Sequence, residues 1–457
     1  MNTAAATRVD RTFYRKFFSI YVALVLQNVV TLSVNLADNM MLGAYSETAL
    51  AGVTAVNQIQ FVYQQLLMAL GDGLVILGSQ YWGKQETGPL KKIAASAMHA
   101  ALIIGILLFT LVSLFPYHAV GIFTPDRPII QEGVSYLGII RFTYLFFAVT
   151  QLLLAVLRSI GIVRVAFVLS VFTFFVNCGI NYVCIYGHFG VPPMGAAGAA
   201  VGTLTARILE CAILIYYIIK KEKVLRLRLK DYFSFDRVLY KDYIKITSPM
   251  LLVQGLWGVN TALQTVILGH MTAAAISANS AASNLFLMVK SMAVGAASAA
   301  SIIIGKTIGS GDIPLTKAYA RIMQRMFLVI GLASGVLLFF LRIPILSIYD
   351  LSPATKDMAN TFLIILSIVC VGTSYQMPTN NGIIRGGGNA MFVVKLDLIS
   401  IWLIVLPLSF FMAFVAKASP AVVVCCLNAD QIFKCVPAFL EAHYGNWIRK
   451  LTRDQAG

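Results

Sequence analysis

The sequence predicts an all-α integral membrane protein: twelve transmembrane helices in two pseudo-twofold-related six-helix bundles with a central cavity. Three observations predict it. The residues are 59% apolar and only 12% charged, whereas soluble domains carry about 25% charged residues. Apolar runs long enough to span a bilayer recur from Phe17 to Leu440 with short breaks; a span needs roughly 20 residues to cross about 30 Å of hydrocarbon. The two halves of the chain also repeat one another, as the glycines and arginines at their span ends show.

Helices are expected near 17–42, 53–79, 93–117, 133–157, 163–187, 195–219, 245–269, 274–304, 319–341, 356–384, 390–416 and 418–440. Helix is the natural choice because it satisfies its own backbone hydrogen bonds in lipid. The first run is too long for a signal h-region, and no small-residue cleavage site follows it. The seven cysteines lie in apolar runs without a C-x-x-C pair, which suits packing rather than redox or metal chemistry.

In a soluble protein the net charge of +16 would suggest nucleic acid. Here its placement says otherwise. Arg8, Arg11, Arg15 and Lys16 precede the first span. Every second connection is basic: Lys84, Lys91 and Lys92; Arg158 and Arg164; the run from Lys220 and Lys223 to Lys245; Lys306, Lys317, Arg321 and Arg325; Arg385 and Lys395; Arg449, Lys450 and Arg453. The alternate connections hold little beyond Arg127, Arg342, Lys356 and Lys417. This positive-inside bias puts both termini in the cytoplasm. The basic stretch 220–244 is then an inner loop facing anionic lipid, not a nucleic-acid surface.

One constant shift along the chain sets Asp38-Asn-Met-Met-Leu-Gly43 on Gln264-Thr-Val-Ile-Leu-Gly269, Ala49 on Ala275, and Gly83 on Gly309. A shift one position longer sets Leu157-Arg-Ser-Ile-Gly161 on Ile384-Arg-Gly-Gly-Gly388, and Arg207 on Lys434. The expected organisation is an N-terminal lobe 1–219, a cytoplasmic linker 220–244 and a C-terminal lobe 245–457. Six spans per half insert with the same orientation, so the repeat axis runs along the membrane normal, as in many secondary transporters.

An ionisable residue at membrane depth is costly and marks function by default. Asp38 is the leading case, because no charge separates it from Lys16 along the first span. Its carboxyl can take a proton or offer hard oxygens to a sodium ion. Asp72 sits in Gly71-Asp-Gly73, where either a capped helix break or a pathway residue is expected. Arg207 and Glu210 are i, i+3 on one helix, and Asp430 and Lys434 are i, i+4 on another; each pair can neutralise itself, with gating as the alternative. Asp397, two residues after Lys395, is either structural or a substrate contact. Lys290 and Arg141 either line the cavity or snorkel. Tyr375 and Met377 belong to a flexible apolar set that suits a promiscuous pocket. No nucleotide loop, protease pair or metal-ligand spacing occurs, so no cofactor and no enzyme activity are expected.

Four stretches resemble the multidrug and toxic compound extrusion (MATE) family. They are Leu36–Gly43, Leu157–Arg164, Asn177-Cys-Gly-Ile-Asn181 with Gly195–Thr203, and Ile384–Asn389. The resemblance implies cation-driven export of drugs or amphipathic, often cationic compounds by alternating access. It also implies a coupling site for H⁺ or Na⁺ made of Asp38, Asn177, Asn181 and Thr203. Some relatives carry Asp where Asn181 stands, which would leave Asp38 the single clear acid of that set. In the second half, Trp257 and Asn389 fall where one branch has Glu and Asp, so that branch's second cation site is not expected. The chain looks closer to the DNA-damage-inducible-type branch. Ala23 falls where many relatives have a helix-1 proline.

The resemblance further implies a multi-pass protein of the bacterial plasma membrane. Expected partners are a small-molecule substrate and membrane lipid, with the chain a monomer. The competing reading is a flippase for lipid-linked saccharides, which would need more cationic residues along the cavity to bind a pyrophosphate.

Overall fold

The computed structural model describes residues 11–222, 225–347 and 352–453; Arg8 and Lys223 of the charge pattern lie outside them. Apart from one isolated bridge, the described chain is helical. The first half contains α1 (Arg11–Tyr45), α2 (Glu47–Gly83), α3 (Thr87–Leu114), a short α4 (Pro116–Gly121), α5 (Arg127–Ile140), α6 (Thr143–Ser159), α7 (Arg164–Tyr186) and α8 (Ala196–Lys220). The second half contains α9 (Arg237–Gly269), α10 (Ala273–Gly309), α11 (Ile313–Leu346) and α12 (Pro353–Met377), which continues through a π-helical turn, Pro378–Ile384. It ends in α13 (Ala390–Leu398), α14 (Leu406–Phe410), α15 (Pro420–Leu427), α16 (Asp430–Phe433) and α17 (Cys435–Tyr444).

Among the described residues, eleven helical stretches are long and apolar enough to cross a membrane, and a bent pair makes a twelfth. The pair is α5 and α6, which the sequence predicts as one helix over 133–157. They meet at 53°, with Arg141 and Phe142 at the bend. The Arg141 guanidinium lies 5.2 Å from the Phe142 ring and 5.8 Å from that of Phe109, so it is held on aromatic faces. The stretch Ala390–Val415 contains two further π-helical turns, Ile399–Val405 and Phe411–Val415, on either side of Pro407. A proline lacks the N–H that an α-turn needs, and a local change of helix type accommodates the loss.

The repeat governs where helices begin. Glu47 and Ala273, Thr87 and Ile313, Arg127 and Pro353, and Arg164 and Ala390 all start helices. Each pair is separated by the displacement that sets Gly83 on Gly309 in the sequence.

The chain packs into two compact units. One comprises Leu26–Gly78 and Glu86–Thr247. The other comprises the described residues up to Val25, Ser79–Gln85 and the described residues from Ser248 onward. The first part of α1 and the last turn of α2 thus pack with the second half. Phe13 stacks on Tyr319 with ring centroids 4.4 Å apart, and Phe17 lies 6.5 Å from Phe327. The apolar centre of that unit is a cluster around Leu268, Ala282, Leu338, Phe362, Cys370 and Val423. Large apolar side chains such as Leu107, Val329, Phe340 and Leu403 are exposed, as a lipid-facing surface requires.

The linker region 225–236 is held to its own half. Lys91 pairs with Asp231 at 3.1 Å, and Lys92 with Asp236 at 3.1 Å. Asp236 precedes α9 and accepts from the backbone N–H of Val238 and Leu239. Those bonds and the Lys92 ammonium hold its carboxyl below the usual carboxylate range.

Candidate coupling site

Four of the residues singled out by sequence meet in one hydrogen-bonded chain. Asp38 sits in the last third of α1. Asn177 and Asn181 are one turn apart on α7, so both face the same direction, and Thr203 lies on α8. Asn181 Nδ2 donates to Asp38 Oδ1 at 2.6 Å and to Asn177 Oδ1 at 3.3 Å. Asn177 Nδ2 donates to Thr203 Oγ1 at 3.2 Å. Both asparagines are buried, while Asp38 is half-buried.

The approach of α7 to α8 depends on Gly202. A Cβ there would overlap Asn181 Oδ1, so any larger residue would displace the carboxamide. Asn181 Oδ1 is itself buried without a hydrogen-bond partner. A buried carbonyl oxygen without a donor carries a desolvation cost of about 1–3 kcal/mol. The site therefore keeps an oxygen available for a donor or a cation.

Arg207 and Glu210 belong to the same neighbourhood. Arg207 Nη1 donates to Glu210 Oε2 at 2.7 Å, with the guanidinium 4.7 Å from the Phe147 ring. Arg207 also attracts the Asp38 carboxylate. The i, i+3 pair read from sequence is thus one ion pair with a second acid in reach. Tyr136, buried on α5, interacts electrostatically with Asp38 and Arg207. Sequence reasoning missed it, because a lone tyrosine in an apolar helix carries no signal.

The other candidates make contacts of their own. Of the two alternatives at Asp72, the helix break does not form: α2 runs through Gly71–Asp72–Gly73 without interruption. Two glycines cost about 1 kcal/mol each in a helix, less than leaving backbone groups unbonded in lipid. Asp72 interacts electrostatically with Arg158 and Tyr243, and the Tyr243 hydroxyl donates to the Leu70 carbonyl at 2.8 Å.

Tyr375, Met377 and Asp397 belong to the other compact unit. Tyr375 is buried and Met377 half-buried. Lys434 donates to Asp397 at 2.8 Å and to Asp430 at 2.9 Å. The i, i+4 pair thus has a third member, and one ammonium serves two carboxylates. Lys290 lies 6.0 Å from the Trp257 ring and 5.9 Å from that of Phe286, in electrostatic reach of Asp430 and Asp397. Asn389 donates to Glu441 at 2.9 Å. Gln264, the repeat partner of Asp38, contacts Asn260.

Residues 23–183 and 249–411 both match the MatE family. The chain belongs to the MatE family. The two matched segments start at positions related by the repeat, so each half carries one copy of the MatE unit. The chain is 25% identical over 432 residues to a probable multidrug resistance protein, NorM, of Thermotoga maritima, covering 94% of this chain and 92% of that one. It is likewise 25% identical over 419 residues to an uncharacterized transporter, YisQ, of Bacillus subtilis, covering 90% and 89%. A crystal structure of MATE in the bent conformation superimposes with a TM-score of 0.85 over 97% of both chains at 15% identity. As a MatE protein the chain is a multi-pass membrane transporter and not an enzyme.

Proposed function

We propose that the chain is a cation-coupled antiporter that exports drugs or other organic, often cationic amphipathic compounds by alternating access. Its setting is a bacterial plasma membrane, with both termini in the cytoplasm. The observation that carries the coupling is the Asn181–Asp38 hydrogen bond of 2.6 Å, in a chain that ends at Thr203. The name of the NorM relative supports drug export.

In this reading Asp38 binds the coupling ion. With the carboxylate empty, Asn181 presents its N–H to Asp38. Turning the carboxamide over presents Oδ1 instead, which accepts from a protonated Asp38 or ligates Na⁺. The same side chain then serves both states of the acid, and Gly202 leaves it the room. Asn177 and Thr203 supply the further oxygens that sodium needs. Arg207 divides its attraction between Asp38 and Glu210, so neutralising Asp38 leaves it wholly with Glu210. Tyr375, Met377 and Asp397 are candidates for contact with the substrate.

Ion and substrate each change the other's affinity by the same factor, because the coupling is reciprocal. The test is ethidium efflux from proteoliposomes under a proton gradient and, separately, a sodium gradient. Efflux driven by one or both supports the proposal. Efflux indifferent to both would overturn it.

A further inference from the structure

Residues 447–453, beyond α17, do not trail away. Trp447 is 2% exposed, and its indole N–H donates to the Ala442 carbonyl at 2.9 Å. The ring lies on Gly387, where a Cβ would overlap it. Ile448 forms an antiparallel bridge with Gly388, and Arg449 N–H donates to the Gly387 carbonyl at 2.8 Å. From there the chain crosses to the last turn of α2, a helix of the first half. Leu451 N–H donates to Gln80 Oε1 at 2.8 Å, and Gln80 Nε2 donates back to the Arg449 carbonyl at 3.2 Å. Arg453 N–H donates to the Tyr81 hydroxyl at 3.2 Å, and Lys84 Nζ donates to the Arg453 carbonyl at 2.9 Å. Gln80 and Tyr81 are buried.

The same turn of α2 meets the end of α10 through the repeat itself. A Cβ at Gly83 would overlap the Lys306 carbonyl oxygen, and a Cβ at Gly309 would overlap the Gln80 carbonyl oxygen. Gln80 and Lys306 are repeat partners, as Gly83 and Gly309 are, so the two helix ends cross as symmetry mates. That crossing is backbone against backbone. The strap from Trp447 to Arg453 adds directional hydrogen bonds to it.

The corresponding segment of the first half behaves differently. After α8, Glu222 accepts from the N–H of Leu225 and Arg226, and Lys91 donates to the Arg226 carbonyl. Those contacts stay within the first half.

We propose that Trp447–Arg453 is a latch that holds the basic ends of the two halves together and must release before the transporter opens on that side. The latch rests on the alternating-access reading above. Opening at the basic end separates α2 from α10, and Gln80 cannot follow α2 while it holds Arg449 and Leu451. The strap thereby favours the state closed at the basic end. Its bonds to Gln80, Tyr81 and Lys84 all use the strap's backbone groups.

The experiment places spin labels at Thr12 and Lys317, exposed positions near the stacked Phe13 and Tyr319, in a variant without native cysteines. Distances are measured in lipid nanodiscs by pulsed electron resonance, in acidic and alkaline buffer, with and without sodium. The full-length chain is expected to show a short and a long distance. Truncation after Gly445 should raise the ratio of long to short. Gln80→Ala, which leaves Trp447 seated, should raise it by about thirtyfold, the weight of two net hydrogen bonds. Two distances whose ratio is the same in Gln80→Ala and the full-length chain would overturn the latch and leave alternating access standing. One distance under every condition would overturn both.

Discussion

Asn181 donates its side-chain N–H to Asp38 at 2.6 Å while its own carbonyl oxygen stays buried and unbonded. One carboxamide thus faces the acid of the first half with a donor and keeps an acceptor in reserve. The relationship depends on close approach between α7 and α8, and Gly202 provides it.

Gly202→Ala is therefore expected to impair coupling without removing any polar group. The added methyl overlaps Asn181 Oδ1 and pushes the carboxamide off Asp38. Overpacking of this kind costs about 1–3 kcal/mol. Ion-driven efflux should fall by an order of magnitude or more on that scale, while detergent-solubilised protein still elutes as a folded species. Wild-type rates in Gly202→Ala would contradict the geometry.

Lys434 stands between Asp397 and Asp430. Replacing it with Met leaves two carboxylates in the membrane interior without their ammonium. Breaking a buried ion pair from one side costs about 3–5 kcal/mol. Thermal unfolding of Lys434→Met should shift down sharply, and Asp397→Asn with Asp430→Asn added to it should recover most of the loss. Equal melting of Lys434→Met and wild type would sink this assignment.

Gly83 and Gly309 are expected to tolerate no side chain. Either Gly→Ala change drives a methyl into a carbonyl oxygen of the opposing helix, with a cost again of about 1–3 kcal/mol. Because the contacts are related by the repeat, the two variants should be destabilised alike in a melting assay. A neutral effect at one site and a large one at the other would count against the symmetric crossing.

Asp236 lies outside the spans and caps α9 through Val238 and Leu239. Its folded carboxyl is held below its unfolded range, so its contribution is present above the unfolded value and is lost as pH falls through the folded one. Asp236→Ala should cost about 1 kcal/mol at neutral pH. The difference from wild type should shrink below about pH 4. A gap that persists or widens in acid would contradict the cap.

Much of this arrangement is legible in the sequence. The displacement that pairs Gly83 with Gly309 also pairs the starts of four helices in each half, because the repeat sets helix phase as well as side chains. The spacing of Asn177 and Asn181 puts both on one face of α7, and Asp38 stands out as a charge in an apolar run. What stays hidden is contact over long sequence separation. Asp397 joins Lys434 from 37 residues away, with no local pattern to announce it. The strap beyond α17 holds on largely through backbone groups, which every residue carries. The bend at Arg141 and Phe142 sits inside a hydrophobic stretch whose composition reads as one span.

The central claim is that Asp38 couples ion to substrate. The most direct measurement is ethidium transport by Asp38→Asn in proteoliposomes, with the driving gradient imposed or absent. The account predicts that the variant binds ethidium but gains nothing from the gradient, so that efflux is equally slow in both conditions. Gradient-dependent efflux at the wild-type rate would show that the coupling resides elsewhere in the chain.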